Sequence, residues 1–134
     1  MAGKRFGFGR KEKLKSRKQI EELFLNGKSF SVFPLRVTYQ FTPSEASTVQ
    51  VGVTAGKKYF KRAVDRNRVK RLIREAYRLQ KGHFMELLKE KQQSVSLFFM
   101  YSGKELTTFV PVKEAMAKCL ERLQKLAQPN EANS

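Results

Sequence analysis

Leu35, Val37, Tyr39 and Phe41 alternate with Arg36, Thr38 and Gln40, the period-two signature of a strand with one covered face. After a turn containing Pro43, Val49, Val51 and Val53 alternate with Gln50, Gly52 and Thr54 in the same way, which predicts a second strand paired antiparallel to the first. The two strands would share an apolar face and a polar one. Small or hydrogen-bonding polar residues on an open sheet can line a trough for an extended single strand of nucleic acid. The same pattern also fits a plain solvated face.

From Asp65 to Gln80 the period changes to that of a helix, with Val69, Leu72, Ile73, Ala76 and Tyr77 in one apolar stripe. At about 100° per residue, Asn67, Lys70, Arg71, Arg74 and Arg78 cluster on the opposite side. Arg66 and Arg68 fall at the margins of the stripe, where each can lay its alkyl stem on the core and project its guanidinium outward. Lys81-Gly82 predicts a stop, followed by a second short helix from Phe84 to Lys91 with Phe84, Leu87 and Leu88 inward. Val95–Tyr101 is nearly all apolar between polar turns, which predicts a strand buried on both faces. A last helix is predicted from near Pro111 to Ala127, with Val112, Ala115, Met116, Cys119, Leu120 and Leu123 facing the core. Upstream, Ser16 and Gln19 form a capping-box pattern and Gly27 offers a C′ stop, bracketing a helix Arg17–Asn26 whose Ile20, Leu23 and Phe24 share a face.

A chain of 134 residues with 40% hydrophobic content suffices for one compact core. The domain is expected over residues 16–127, preceded by a flexible basic arm (1–15) and followed by a disordered polar tail (128–134). Nothing approaches the roughly 18 apolar residues of a membrane span, and the N-terminus lacks an apolar signal region, so a cytoplasmic protein is expected.

Charge changes the picture. Lys and Arg number 28 against 12 acids, net +16, and two segments hold all of the excess. Residues 1–18 carry eight basic groups and one acid, residues 57–81 eleven and two, while the other 91 residues have nine of each sign. Such segregation fits a defined face for a polyanion. Within residues 66–78 there are six basic groups, five of them Arg, and one acid. Like charges three and four apart on a helix cost about 0.2–0.5 kcal/mol per pair, a repulsion that phosphates relieve. Arg supplies bidentate contacts to phosphate that Lys cannot. This physics points to nucleic acid and does not choose between RNA and DNA.

Catalytic groups are scarce. His83, the only histidine, follows Gly82 and reads as a solvated loop residue. Cys119, the only cysteine, excludes an internal disulfide and a Cys-based zinc site, and reads as a small buried side chain. No phosphate-binding Gly-rich motif or metal-ligand cluster is present. Asp65 and Glu75 read as an N-cap and as a partner for a nearby Arg or Lys.

The run Lys57-Lys58-Tyr59-Phe60-Lys61-Arg62-Ala63-Val64-Asp65-Arg66-Asn67-Arg68-Val69-Lys70-Arg71-Leu72-Ile73-Arg74-Glu75 closely resembles the signature of the bacterial ribonuclease P protein subunit, whose helix has the form RNRxKRLxRE. It is preceded by Val51-Gly52-Val53-Thr54, and the likeness covers nearly the whole chain, including Phe-x-x-Gly-Lys-Ser at Phe24 to Ser29. The resemblance implies an α+β fold: an α/β sandwich with a roughly four-stranded mixed sheet, helices on one face, and a left-handed βαβ crossover. It also implies a partner, the catalytic RNA of ribonuclease P, and a substrate, precursor tRNA, whose 5′ leader is removed by magnesium-dependent hydrolysis. The metal would belong to the RNA-containing holoenzyme, with no cofactor on the protein, no membrane and no DNA. Carried onto this chain, Arg66, Asn67, Arg68, Lys70, Arg71 and Arg74, with Lys57 and Arg78, would engage the catalytic RNA. Ile20, Phe24, Arg36, Thr38, Thr54 and Lys58 would line the leader cleft, so that Phe24 faces the trough and not wholly the core. Gln40 and Gln50 would extend that trough beside Arg36, Thr38 and Thr54. Ile20 stands where many members carry an aromatic, and the loop Tyr59–Asp65 is basic and about one residue longer than in many members.

Two other readings use the same residues. A ribosomal or translation-factor-like RNA-binding domain shares the sandwich topology. A helix-turn-helix DNA-binding module would require a short helix packed just before the basic one, where Val49–Val53 reads as a strand.

Overall fold

A computed structural model describes residues 17–43 and 46–127. The expected arm, the Ser16 cap and the expected tail lie outside the described residues. The described elements are α1 (Arg17–Asn26), β1 (Lys28–Val32), β2 (Leu35–Pro43), β3 (Val49–Ala55), α2 (Ala63–Lys91), β4 (Gln93–Tyr101) and α3 (Phe109–Leu126).

The four strands form one mixed sheet in the order β1-β2-β4-β3. β1 pairs antiparallel with β2, β2 antiparallel with β4, and β3 parallel with β4. The expected β2–β3 hairpin is therefore not formed, because β4 lies between the two strands. The chain from Pro43 to Val49 can cross one intervening strand, since two strand spacings are about 10 Å and five extended residues reach about 17 Å. β4 takes the central place because it is the most apolar strand, and a central strand has its backbone paired along both edges. Its burial alternates from Gln93 to Tyr101. The expected burial of β4 on both faces is thus corrected: both edges are paired, one face is buried, and the other is only half-buried. β1 is the strand that periodicity did not place, although Phe30 and Val32 point to the core and Ser29 and Ser31 away from it.

Leu35 and Val37 of β2, Val49 and Val51 of β3, and Val95, Leu97, Phe99 and Tyr101 of β4 bury one sheet face against α2 and α3. All six residues expected to face the core from α3 are buried, Cys119 among them. α2 contributes Val69, Ile73, Ala76, Tyr77, Phe84 and Leu88. It is one continuous helix of 29 residues, where a stop at Gly82 and a second helix were expected. The apolar stripe explains the difference: Val69, Ile73, Ala76, Tyr77, Phe84 and Leu88 keep helical phase across Gly82, and their burial outweighs the roughly 1 kcal/mol cost of one helical glycine. The helix ends at Gln92, which is left-handed at φ 53° and whose N–H bonds to the carbonyls of Leu88 and Lys89. It begins at Ala63 after an N-cap at Arg62, so Asp65 sits in the first turn and is not the cap.

The sequence expectation of helices on one face holds for α2 and α3. α1 instead brings Phe24 against Phe98, on the opposite face of the sheet. Its bounds are those expected, and Leu23 is its buried anchor. Gly27 follows without a positive φ. Its glycine is required by close approach, since a Cβ there would stand 2.5 Å from the Leu23 carbonyl oxygen and 2.7 Å from that of Tyr39.

Candidate nucleic-acid interface

Two surfaces carry the candidate residues. The first is the sheet face turned away from α2 and α3. Strand register sets its side chains in rows: Ser31, Arg36, Met100 and Thr54 in one, Ser29, Thr38, Phe98 and Gly52 in the next, then Gln40, Ser96 and Gln50. The residues expected to line a trough do fall on this face, but the surface between them differs from the one read from sequence. Arg36, Thr38 and Gln40 do not lie beside Gln50 and Thr54, because Ser96, Phe98 and Met100 of β4 stand between them. These three were missed because Phe98 and Met100 made the strand look apolar throughout. Ser94 and Ser96, two apart, carried the signal of an exposed alternate face.

The trough is not uniform. Phe24 is 48% exposed and meets the Phe98 ring edge-on at 5.3 Å between centroids. Thr38, in the same row as Phe98, is only 7% exposed. It forms floor under the α1 side of the cleft, and its hydroxyl is largely withdrawn from solvent. Arg36 is exposed, Thr54 and Ile20 half-buried. An Arg36 guanidinium nitrogen donates to the Ser29 hydroxyl oxygen at 3.3 Å, which leans the cation along the β1–β2 side of the trough.

The second surface is the outer side of α2. Asn67, Arg68, Arg71 and Arg74 are exposed, and Lys70 is half-buried at the margin. Lys57 and Lys58 are exposed in the turn after β3. Two of the expected phosphate ligands are engaged by the protein itself. Arg66 does not project freely: its Nη1 donates to the carbonyls of Phe60 and Lys61, both at 2.8 Å, tying the loop 57–62 to the first turn of α2. Arg78 forms a two-pronged ion pair with Glu75, its Nε donating to Oε1 at 3.1 Å. This hydrogen bond holds the Glu75 carboxyl below its usual range and raises the Arg78 guanidinium. Glu75 is thereby the charge partner that the sequence led one to expect. The remaining cations, Arg68, Arg71 and Arg74 with Lys70 at the margin and Lys57 in the turn, form no ion pair with a described residue.

Among the described residues, groups suited to bond-breaking are not gathered. His83 is exposed, on α2 and not in a loop. Burial pushes the Cys119 thiol up to about 12, which leaves it protonated and inert at neutral pH. Asp65 stands 3.9 Å from Arg62. Among the described residues no group of three or more His, Cys, Asp or Glu could hold a metal ion. No described helix is long and apolar enough to cross a membrane. The element before α2 is a strand and a turn, so the paired helix of a helix-turn-helix module is absent there.

Comparison with known proteins places these surfaces in context. The Ribonuclease P family model matches residues 8–124. A ribonuclease P protein component from Porphyromonas gingivalis is 44% identical over 119 residues, covering 88% of this chain and 87% of that one. One from Chlorobium phaeobacteroides is 32% identical over 124 residues, covering 84% and 85%. In fold, the chain is similar to the RNase P protein of Staphylococcus aureus, with a TM-score of 0.64 at 17% identity over 84% of this chain and 94% of that one. It is equally similar to the RNase P protein from Thermotoga maritima, with a TM-score of 0.64 at 23% identity over 83% and 96%.

Proposed function

The chain belongs to the ribonuclease P protein family, and on that premise we propose that it holds the catalytic RNA with the basic face of α2 and the single-stranded leader of precursor tRNA along the open sheet face. It is the protein subunit of a ribonucleoprotein endonuclease, working in the cytoplasm to release the mature 5′ end. The observation that carries the reading is the coincidence of two features in one chain. The Arg66-Asn67-Arg68 signature opens α2, and a sheet face free of α2 and α3 lies across the same domain.

Each surface has a distinct task. Arg68, Arg71 and Arg74 meet phosphates of structured RNA, where charge neutralisation and counterion release supply affinity. Arg66 acts mainly through position, by fixing the loop that carries Lys57 and Lys58. On the sheet face, Arg36 and Thr54 meet the leader's backbone, and Phe24 with Phe98 offers apolar surface to its bases. The bond-breaking step belongs to the RNA; on the protein, Cys119 is buried and the two acids of the basic segment, Asp65 and Glu75, face Arg62 and Arg78. Magnesium held by that RNA supplies Lewis acidity and the activated water. The protein's cations offset phosphate repulsion and so lower the magnesium the assembly needs.

Cleavage of precursor tRNA by the cognate RNA, measured across a magnesium series with and without the chain, tests this. The chain should shift the requirement to lower magnesium and strengthen binding of precursor over mature tRNA. Unchanged cleavage and unchanged discrimination would sink the proposal. The ribosomal or translation-factor reading gains no support from the relatives found, and sequencing the RNA that co-purifies checks it independently.

A further inference from the structure

β3 and β4 run parallel, so their C-terminal ends lie side by side with Ala55 opposite Tyr101. The row Arg36–Met100–Thr54 is the last of the open face at this end. The chain leaves β3 through residues 56–62 and leaves β4 through residues 102–108, and α2 starts from the first of these loops. The two loops meet at Tyr59. The Lys58 ammonium lies 5.5 Å from the centre of its ring and the Lys104 ammonium 5.8 Å. Neither lysine forms an ion pair with a described residue.

Tyr59 is 46% exposed, yet both loops beside it are pinned. The adjacent Phe60 is buried, with its ring 5.7 Å from that of Tyr101. Arg66 holds the carbonyls of Phe60 and Lys61, as described above. In the other loop the Tyr101 hydroxyl donates to the Glu105 carbonyl at 2.7 Å. Gly103 packs so closely that a Cβ there would stand 2.6 Å from that hydroxyl oxygen. A large amphipathic ring is thus presented on a fixed base, and binding to it orders little backbone. The two lysines are on long flexible stems, able to leave the ring for a phosphate on either side of it.

We propose that Tyr59, Lys58 and Lys104 form a site for one unpaired nucleotide of the leader, the base stacking on the Tyr59 ring and the flanking phosphates taken by the two ammonium groups. It deepens the reading given above and rests on it. The site sits where a strand leaving the trough at the Arg36–Met100–Thr54 row would pass toward the first turn of α2. It would therefore join the two surfaces into one path.

The test uses the full chain assembled with its cognate RNA, and compares Tyr59→Leu, Tyr59→Phe and the double variant Lys58→Ala/Lys104→Ala. Affinity is measured for precursor tRNA, for mature tRNA, and for assembly with the catalytic RNA, with the melting temperature as a control on folding. Precursors carrying 2-aminopurine at successive leader positions report stacking by fluorescence quenching. Tyr59→Leu should weaken precursor binding about 5- to 150-fold, the range expected for one stacked base, and abolish quenching at one position. Tyr59→Phe should retain both. The double lysine variant should flatten the slope of log affinity against log salt by about 1.4, two single-strand phosphate contacts at about 0.7 each. Loss that falls equally on assembly with the catalytic RNA would give the nucleotide site to that RNA and overturn the leader assignment. No loss in any arm would overturn the site itself. If the unaltered chain fails to favour precursor over mature tRNA, the leader reading above fails, whatever Tyr59 does.

Discussion

Phe24 of α1 and Phe98 of β4 meet edge to face, with ring planes at 77°, on the side of the sheet that α2 and α3 leave open. Phe24 retains nearly half its surface in solvent, so the pair is a platform and not a core contact. Replacing Phe24 by Ala should cost at least about 0.5–1.5 kcal/mol of stability, what one aromatic pair is worth beyond the area it buries. It should weaken the holoenzyme's binding of precursor tRNA more than of mature tRNA, because only the precursor has a leader. Parallel affinity measurements on the two RNAs decide the matter, and equal losses would remove Phe24 from the leader cleft.

Arg66 and Arg68 stand two residues apart in the signature and have different work. Arg66 spends one nitrogen on two loop carbonyls, so Arg66→Ala should lower stability by about 1–3 kcal/mol through the loss of charged hydrogen bonds to a partly buried loop. A Lys ammonium has donors enough for both carbonyls but a shorter reach, so Arg66→Lys should recover only part of the loss. Arg68 is exposed and makes no such bonds, so Arg68→Ala should leave stability within about 0.5 kcal/mol of the parent. It should instead reduce affinity for structured RNA and flatten its salt dependence by about 0.9, one duplex phosphate contact. Urea denaturation and RNA binding across a salt series separate the two effects. A stability loss at Arg68 with none at Arg66 would reverse this division.

What the sequence disclosed, and what it hid, follows from the range of the physics involved. Helical and strand periods are local, so α1, β2, β3 and α3 were legible from residue spacing, as was the basic outer face of α2. Strand order is non-local. Nothing in Val49–Val53 states whether its neighbour is β2 or β4, and the insertion of β4 rearranged the trough without altering any of its predicted residues on β2 and β3. Phe98 was hidden for the same reason: an apolar residue at an alternate position reads as core until the absent cover on its side is known. Arg66 shows a further limit of charge counting, since six cations on thirteen residues do not reveal which one turns back on its own backbone.

Gly82 and Gly27 were both read as helix stops, and the fold assigns them opposite roles. At Gly82 a Cβ would meet nothing within 4 Å, and the residue lies inside α2 without a positive φ. Gly82→Ala should therefore raise stability by about 0.5–1 kcal/mol, by removing the entropy a helical glycine loses. Were the helix broken there by a left-handed residue, the same substitution would be strained and destabilising. At Gly27 the added methyl would collide with two backbone carbonyls, of Leu23 and Tyr39, which cannot turn aside as a side chain could. Gly27→Ala should cost about 1–3 kcal/mol, the usual penalty for overfilling a packed site. It should also disturb the seat of α1 on β2, and with it the position of Phe24. Thermal unfolding of the two alanine variants beside the parent protein gives the answer directly. A gain at Gly82 with a loss at Gly27 supports one long α2 and a close α1–β2 junction, and a loss at Gly82 would return the helix to the two pieces that its sequence suggests.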